Sequence, residues 1–166
     1  VSGGVAANKA AYLVSRLAQA GHAVRVVMTN AAKSFVGEAT FSALSGHPVM
    51  SDSFDLSEHP LGPHIELARE ANLLCVAPAT ADLLGKAAHG LADALLSTLL
   101  LSFTGPVLMA PAMNAEMWAT PAVERTIVAD RPGDVCVPVA PEGVASPPVA
   151  SALPRDSLAR YRIIDV

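Results

Sequence analysis

The feature that most constrains the fold is the alternation of short, largely apolar runs with segments of helical periodicity. Four runs are rich in Val, Leu and Met and are bounded by turn residues, over 23–28, 73–76, 106–109 and 135–139. Parallel strands have such continuous apolar sequences because helices cover both faces of their sheet. We therefore predict an α/β protein with a doubly wound (Rossmann-like, flavodoxin-like) parallel sheet and helices on both faces.

Apolar stripes and end signals predict helices between these runs. The helix over 8–20 ends at Gly21, a residue common after helix C-termini. The remaining predicted elements are an edge strand over 49–54 and helices over 31–36, 40–45, 64–70, 82–88, 92–101 and 121–128. We expect one domain over 1–166, with a strand just before Ser2 and a flexible flap over the Pro- and Ala-rich stretch 138–154.

Composition and charge narrow the set of partners. Hydrophobic residues make up 52% of the chain and charged residues only 16%, so we expect some surface to be buried against other copies, in a homo-oligomer. A net charge of −4 without a Lys/Arg cluster argues against nucleic acid as a partner. No apolar run reaches membrane-spanning length and no signal peptide is visible, which favours a cytoplasmic protein without a membrane partner.

Cysteine and histidine spacing gives no sign of a metal site. Cys75 and Cys136 each lie in a strand-like run, which indicates buried thiols in a reducing compartment. No pair of His or Cys residues has the spacing of metal ligands, so we predict that no metal is bound.

Small and polar residues follow the predicted strands, at the edge where ligands bind in doubly wound sheets. The segment 2–6, Ser-Gly-Gly-Val-Ala, opens the first helix, where free N–H groups attract phosphate. It is not a GxGxxG fingerprint, and the same glycines also suit a plain tight turn. Thr29 and Asn114 follow two other strands, and each is equally compatible with a helix N-cap. His64 opens a helix, and a His with an Asn can hold a carboxylate and move a proton.

Three longer motifs point to one family. The segment 77–96 resembles A-P-A-T-A-N-T-x-x-K-x-A-x-G-x-x-D-N-L-L, with Asp82 and Ala94 in place of the two Asn residues. The segment 63–67, Pro-His-Ile-Glu-Leu, resembles a P-H-I-x-L segment, and 111–117 reads Pro-Ala-Met-Asn-Ala-Glu-Met. On these motifs, roughly over 2–140, the chain resembles the homo-oligomeric flavin-containing cysteine decarboxylases.

The resemblance implies a flavin site and a substrate site. FMN is favoured over FAD, because the phosphate loop is short and no adenosine-binding signature is visible. The implied catalytic residues are His64 and Asn114, and Asn114, Met113 and Met117 would bind substrate. The implied cofactor-binding residues are Ser2, Gly3, Gly4, Val5, Ala6, Thr29, Ser34, Phe35, Ala77, Pro78, Ala79, Thr80, Asp93 and Ala110. Assembly as a trimer or a multiple of trimers, with the flavin between neighbours, is implied as well.

The two branches of the family differ in substrate. Phosphopantothenoylcysteine decarboxylases carry a Cys in a C-terminal flap, and 141–154 contains none. This absence favours FMN-dependent oxidative decarboxylation of the C-terminal cysteine of a precursor peptide, giving an aminoenethiol, as in lantibiotic-, thioamitide- or linaridin-type biosynthesis. The alternative is the phosphopantothenoylcysteine decarboxylase of coenzyme A biosynthesis. A second alternative, a non-catalytic flavin-binding regulator, is disfavoured because both His64 and Asn114 are present.

Overall fold

The computed structural model describes residues 1–51 and 60–123, and the backbone of 135–136. The elements, in chain order, are α1 (Ala7–Gln19), a 3-10 helix (Asn30–Ser34), α2 (Glu38–Ser45), α3 (Pro63–Glu70), β1 (Leu74–Ala79), α4 (Ala81–Ala88), α5 (Leu95–Ser102), β2 (Val107–Pro111), α6 (Ala115–Trp118) and β3 (Val135–Cys136). Among the helices of this part, none has the length and apolar character needed to span a bilayer.

The three named strands form a parallel sheet in the order β1-β2-β3. Two further segments extend it beyond β1 through backbone hydrogen bonds. The N–H of Ser2 donates to the Pro78 carbonyl over 3.4 Å, and the N–H of Thr29 donates to the Val1 carbonyl over 3.1 Å. Met50 then pairs with the segment 26–28 on its outer side.

The order across the sheet is therefore 49–50, 26–28, 1–2, β1, β2, β3, which reads 3-2-1-4-5-6 in chain order. This is the order of a doubly wound sheet, and it reverses direction between residues 1–2 and β1. A crevice at that reversal is where such sheets bind ligands. The predicted fold class is confirmed.

Two apolar cores lie on opposite faces of the sheet. Val26 and Met28 pack with α1 and α2, where Phe41 is fully buried, whereas Val27 belongs to the second core. Neighbouring residues of a strand point to opposite faces, which explains the split. In the second core, Val76 and Met109 pack against α3 and the leucines of α5. Helices on both faces leave the strand ends as the accessible edge of the sheet.

Several element boundaries differ from the prediction. The strand predicted over 73–76 continues to Ala79, because Pro78 keeps its place by accepting hydrogen bonds through its carbonyl although it has no N–H to donate. The helix predicted from 92 begins at Leu95, because Asp93 and Ala94 bind the side chain of Ser97 instead of continuing the helix. The helix predicted over 31–36 is a 3-10 helix, and α6 was not predicted.

Other predicted elements reach beyond the described residues. The edge strand predicted over 49–54 contributes one bridge, between Met50 and Val27, and its residues 52–54 lie outside the described part. Residues 121–123 are helical and 135–136 form β3, whereas the rest of those two predicted elements and the flap over 138–154 lie outside it.

The close approach of the first loop to the second predicts unequal tolerance at two neighbouring glycines. A Cβ on Gly3 would lie 2.5 Å from the Ala31 Cβ and 2.7 Å from its carbonyl carbon, whereas a Cβ on Gly4 would meet only the Thr80 Cγ2, at 3.6 Å. Gly3→Ala should lower the free energy of unfolding by about 1–3 kcal/mol, and Gly4→Ala by less than about 0.5 kcal/mol. Urea denaturation of the two variants checks this, and equal midpoints would contradict the packing described.

Candidate functional site at the carboxyl edge of the sheet

The structure brings the predicted site residues to one edge of the sheet. Most of them follow the carboxyl end of a strand, in the loops after residues 1–2, after 26–28, after β1 and after β2. His64 and Asp93 reach the same edge from the other direction. They stand at the start of α3 and just before α5, and these helices return the chain to the amino ends of β1 and β2. No cluster of His, Cys, Asp and Glu suited to a metal is found among the described residues.

Ser2 bridges the crevice between the first strand segment and β1. Its side chain is 2% exposed, and its Oγ donates to the Pro78 carbonyl over 2.8 Å. The same oxygen accepts from the Thr80 N–H over 3.1 Å. The hydroxyl is therefore engaged on both sides within the protein. A ligand in the crevice meets the backbone after Ser2 rather than its side chain.

The start of α1 offers free hydrogen-bond donors. Its N-cap, Ala6, makes no side-chain cap, its first turn has no acidic residue, and neighbouring Val5 is 82% exposed. In the described part, no acceptor is bonded to the backbone N–H groups of residues 3–6. Unpaired N–H groups at the positive end of a helix favour an anion. By contrast, the first turns of three other helices of this edge each carry a carboxylate: Glu66 in α3, Asp82 in α4 and Glu116 in α6.

Two threonines at strand ends are helix caps. Thr29 Oγ1 accepts from the Ala32 N–H over 3.2 Å, and Thr80 Oγ1 accepts from the Leu83 N–H over 3.5 Å. A hydroxyl that accepts in a cap keeps its own proton for a further acceptor, such as a ligand oxygen. For Thr29 this is the helix-cap role that the sequence left open, whereas the cap at Thr80 was not predicted. A ligand contact is compatible with the cap at both positions.

Small and flat side chains border the same edge. Ala77 and Ala110 are half-buried and Ala79 is fully buried, so the backbone is accessible beside them. Ser34 is exposed, and the ring of Phe35 is 49% exposed. Such a border suits a planar ring system, although a flavin contact at Ser34 and Phe35 stays a prediction.

Asn114 caps α6 through its carbonyl oxygen. Oδ1 accepts from the Met117 N–H over 2.9 Å, and the side chain is exposed. The amide nitrogen takes no part in this cap, so its two N–H donors remain available to a ligand with nothing lost from the fold. The N–H of Ala112 donates to the Ala79 carbonyl over 3.0 Å, which ties this loop to the end of β1. Nearby, Met117 is 46% exposed.

Met113 has a different environment from Met117. It is half-buried and packs against the core that Trp118 completes. Its predicted contact with substrate remains untested, and its packing role is the one observed.

His64 is the second residue of α3 and is half-buried. Its Nδ1 is buried and has no hydrogen-bond partner among the described residues. A buried polar atom without a partner is unfavourable, and proteins rarely retain one for stability alone. His64 therefore differs from His89, whose Nδ1 lies 2.8 Å from the Gly85 carbonyl and serves a helix end.

Asp93 is held by two side chains that the sequence analysis did not single out. Lys86 Nζ lies 2.9 Å from its Oδ2, and Ser97 Oγ donates to its Oδ1 over 3.1 Å. The hydrogen bond from Lys86 holds the pKa of Asp93 below its usual range, and the one to Asp93 raises the pKa of Lys86. Both groups are substantially exposed, so the pair orders the loop before α5 more than it stabilises the fold.

Comparison with known proteins identifies the family of this chain. Residues 1–140 match the Flavoprotein family. The coenzyme A biosynthesis bifunctional protein CoaBC of Mycobacterium tuberculosis is 55% identical over 122 residues, which is 74% of this chain and 29% of that protein. The chain thus spans about three tenths of the length of this relative.

Two solved structures with the same fold are cysteine decarboxylases. SpaF, an FMN-dependent cysteine decarboxylase, superposes with a TM-score of 0.73 at 34% identity, covering 77% of this chain and 74% of SpaF. A PPC decarboxylase variant complexed with pantothenoylaminoethenethiol superposes with a TM-score of 0.72 at 32% identity, covering 82% of this chain and 77% of that one. The chain therefore belongs to the Flavoprotein family, in the group of flavin-containing cysteine decarboxylases that its motifs resemble.

Proposed function

We propose that this chain is the FMN-dependent decarboxylase of phosphopantothenoylcysteine. The observation that carries the proposal is the joint presence of an uncapped α1 start, His64 and the free amide donors of Asn114 at one edge, in a chain 55% identical to CoaBC over 122 residues. The solved PPC decarboxylase complex supports the same substrate class. Because the chain spans only part of CoaBC, any further activity of that protein stays outside the proposal.

The comparisons favour this substrate over the C-terminal peptide cysteine expected from the flap. That expectation depended on one absent Cys in 141–154, a stretch beyond residue 140 where the family match ends. These residues also lie outside the described structure, so the absence does not distinguish the two branches. Identity to TvaF, an FMN-dependent cysteine decarboxylase from thioviridamide biosynthesis, is 33%, against 55% to CoaBC over 122 residues.

The residues present fit a flavin mononucleotide. The N–H groups of residues 3–6 suit its single phosphate, and the exposed ring of Phe35 and the small residues after β1 leave room for a planar ring. When bound, the flavin would supply the two-electron oxidation that turns the cysteine side chain into an electron sink for decarboxylation, and it would return the two electrons to the product, so that carbon dioxide alone is lost.

The chain's own residues would bind the substrate and move its proton. The Asn114 amide donates to the substrate carboxylate and holds it until carbon dioxide leaves. His64 accepts the proton of the substrate thiol, a task suited to an imidazole, whose neutral form carries an acceptor nitrogen. The exposed thioether of Met117 forms an apolar, adaptable wall beside Asn114.

We also propose that the chain works as a homo-oligomer, as its low charge suggests. Val5, at 82% exposure, and Phe35, at 49%, lie at the edge of the proposed cofactor site. A second copy would cover these apolar side chains and enclose the cofactor from the open side.

If the N–H groups at the start of α1 bind the phosphate, the phosphate should account for much of the protein's affinity for FMN. Ala6→Asp places a carboxylate beside the free N–H groups at the start of α1, where its negative charge repels a phosphate. FMN affinity should fall about tenfold or more, while riboflavin, which has no phosphate, should bind as before. Fluorescence titration of apoprotein with both flavins measures this.

A matched control is Gln19→Glu, which adds the same charge at the far end of α1 and should leave FMN binding unchanged. Since a carboxylate is favourable near the positive end of a helix, Ala6→Asp should not lower the stability of the apoprotein. An equal loss for FMN and riboflavin would contradict a phosphate at this helix start.

The substrate proposal predicts a preference between two cysteine compounds. Purified flavin-loaded protein should decarboxylate phosphopantothenoylcysteine and leave a peptide with a C-terminal Cys unchanged at the same concentration. Mass spectrometry distinguishes loss of carbon dioxide alone from loss of carbon dioxide and two hydrogens. Conversion of the peptide alone, with dioxygen consumed, would contradict this proposal and identify the protein as a peptidyl-cysteine decarboxylase.

Asn114 caps α6 and is proposed to bind the substrate carboxylate, and one substitution should remove the second role while keeping the first. Asp is as good an N-cap as Asn, so Asn114→Asp should keep α6 and the thermal midpoint. It loses the amide donors and faces the substrate carboxylate with like charge, so kcat/KM should fall about 10- to 100-fold. Asn30→Asp makes the same chemical change at another exposed position and should retain full activity. Unchanged kcat/KM in Asn114→Asp would remove Asn114 from the substrate site.

A further inference from the structure

Gly62, two residues before His64, has a backbone conformation that other residues avoid. Its φ is 93° and its ψ is 133°, and it is buried at the N-cap of α3. Its carbonyl accepts from the N–H groups of Ile65, at 3.0 Å, and Glu66, at 3.3 Å, so this conformation starts the helix. Positive φ with extended ψ is a region that glycine alone occupies without strain.

The same residue is in contact with the imidazole of His64. A Cβ on Gly62 would lie 3.1 Å from His64 Cε1 and 3.5 Å from Nδ1. This edge of the ring thus packs against the Gly62 backbone, which agrees with the burial of Nδ1. Because the ring is only half-buried and only its Nδ1 is buried without a partner, the adjoining Nε2–Cδ2 edge is the side that a ligand can approach.

The other positive-φ glycines of the described part lack this contact. Gly21, Gly46 and Gly90 have φ values of 85°, 72° and 67°, and a Cβ on any of them would meet no atom within 4 Å. Gly46 is the C-cap of α2. At these three sites the positive φ serves only to reverse the chain. At Gly62 it also places the backbone against the side chain of His64.

We propose that Gly62 is a positioning residue for His64. The missing Cβ lets the imidazole lie back on the backbone, and the conformation at residue 62 aims the Nε2 edge toward the substrate. This inference rests on the proposed function, in which His64 accepts the thiol proton. A base must be within hydrogen-bond reach of the proton it takes, so a displaced ring slows that step.

Gly62→Ala and Gly46→Ala test the proposal as a matched pair. Both add a methyl group at positive φ, so both should lower the thermal midpoint, but only the first brings a methyl group against His64. In Gly62→Ala, kcat should fall about tenfold to a hundredfold while KM and FMN affinity stay within about twofold. Gly46→Ala should retain the wild-type kcat. Equal kcat in the two variants would overturn the proposal.

Nuclear magnetic resonance gives a test that requires neither activity nor a stable variant. With glycine and histidine selectively labelled, the wild-type protein should show a nuclear Overhauser contact between the Gly62 Hα protons and the His64 Hε1 proton. Its absence would overturn the proposed packing. If the contact is present and wild-type protein decarboxylates neither cysteine compound, the proposed function fails while the placement of His64 by Gly62 stands.

Discussion

The rest of the structure depends on the pair of hydrogen bonds made by the Ser2 hydroxyl. By donating to Pro78 and accepting from Thr80, it joins the first strand segment to β1 at the point where the strand order reverses. Leaving these two backbone groups unpaired in a buried setting would cost about 1–3 kcal/mol for each. The bridge brings the start of α1 and the start of α4 to the same crevice. It also occupies the Thr80 N–H, so the free donors of this crevice are those of residues 3–6.

Helix capping leaves hydrogen-bond donors available on three side chains along this edge. Thr29, Thr80 and Asn114 each accept a backbone N–H through an oxygen, and each retains hydrogen-bond donors that the cap does not use. The cap fixes the rotamer of the side chain, so the remaining donor already points in one direction when a ligand arrives. The helix-cap and ligand-binding interpretations, which look like alternatives in the sequence, describe two sides of one group.

The sequence was sufficient for the fold class, because continuous apolar runs such as 106–109 indicate buried parallel strands even where their exact ends are misplaced. It did not predict the order of the strands, which depends on long-range pairing. It was insufficient where tertiary contacts decide. Pro78 looks like the end of a strand, but its carbonyl is held by Ser2. Asp93 looks like helix, but Lys86 and Ser97 hold it outside α5. The role of Gly62 depends on a φ value and a ring contact that no pattern of residue types displays.

If the cofactor phosphate binds at the uncapped start of α1, as proposed, the amount of folded protein depends on the supply of that ligand. A helix start with four unpaired N–H groups is a cost that only the ligand-free chain carries. A ligand at one hundred times its dissociation constant adds about 2.7 kcal/mol to the free energy of unfolding. In a cell, where partly unfolded chains are removed by proteases, molecules made in excess of the anion would turn over faster than loaded ones. The half-life of the polypeptide would thus report cofactor availability without any dedicated regulator.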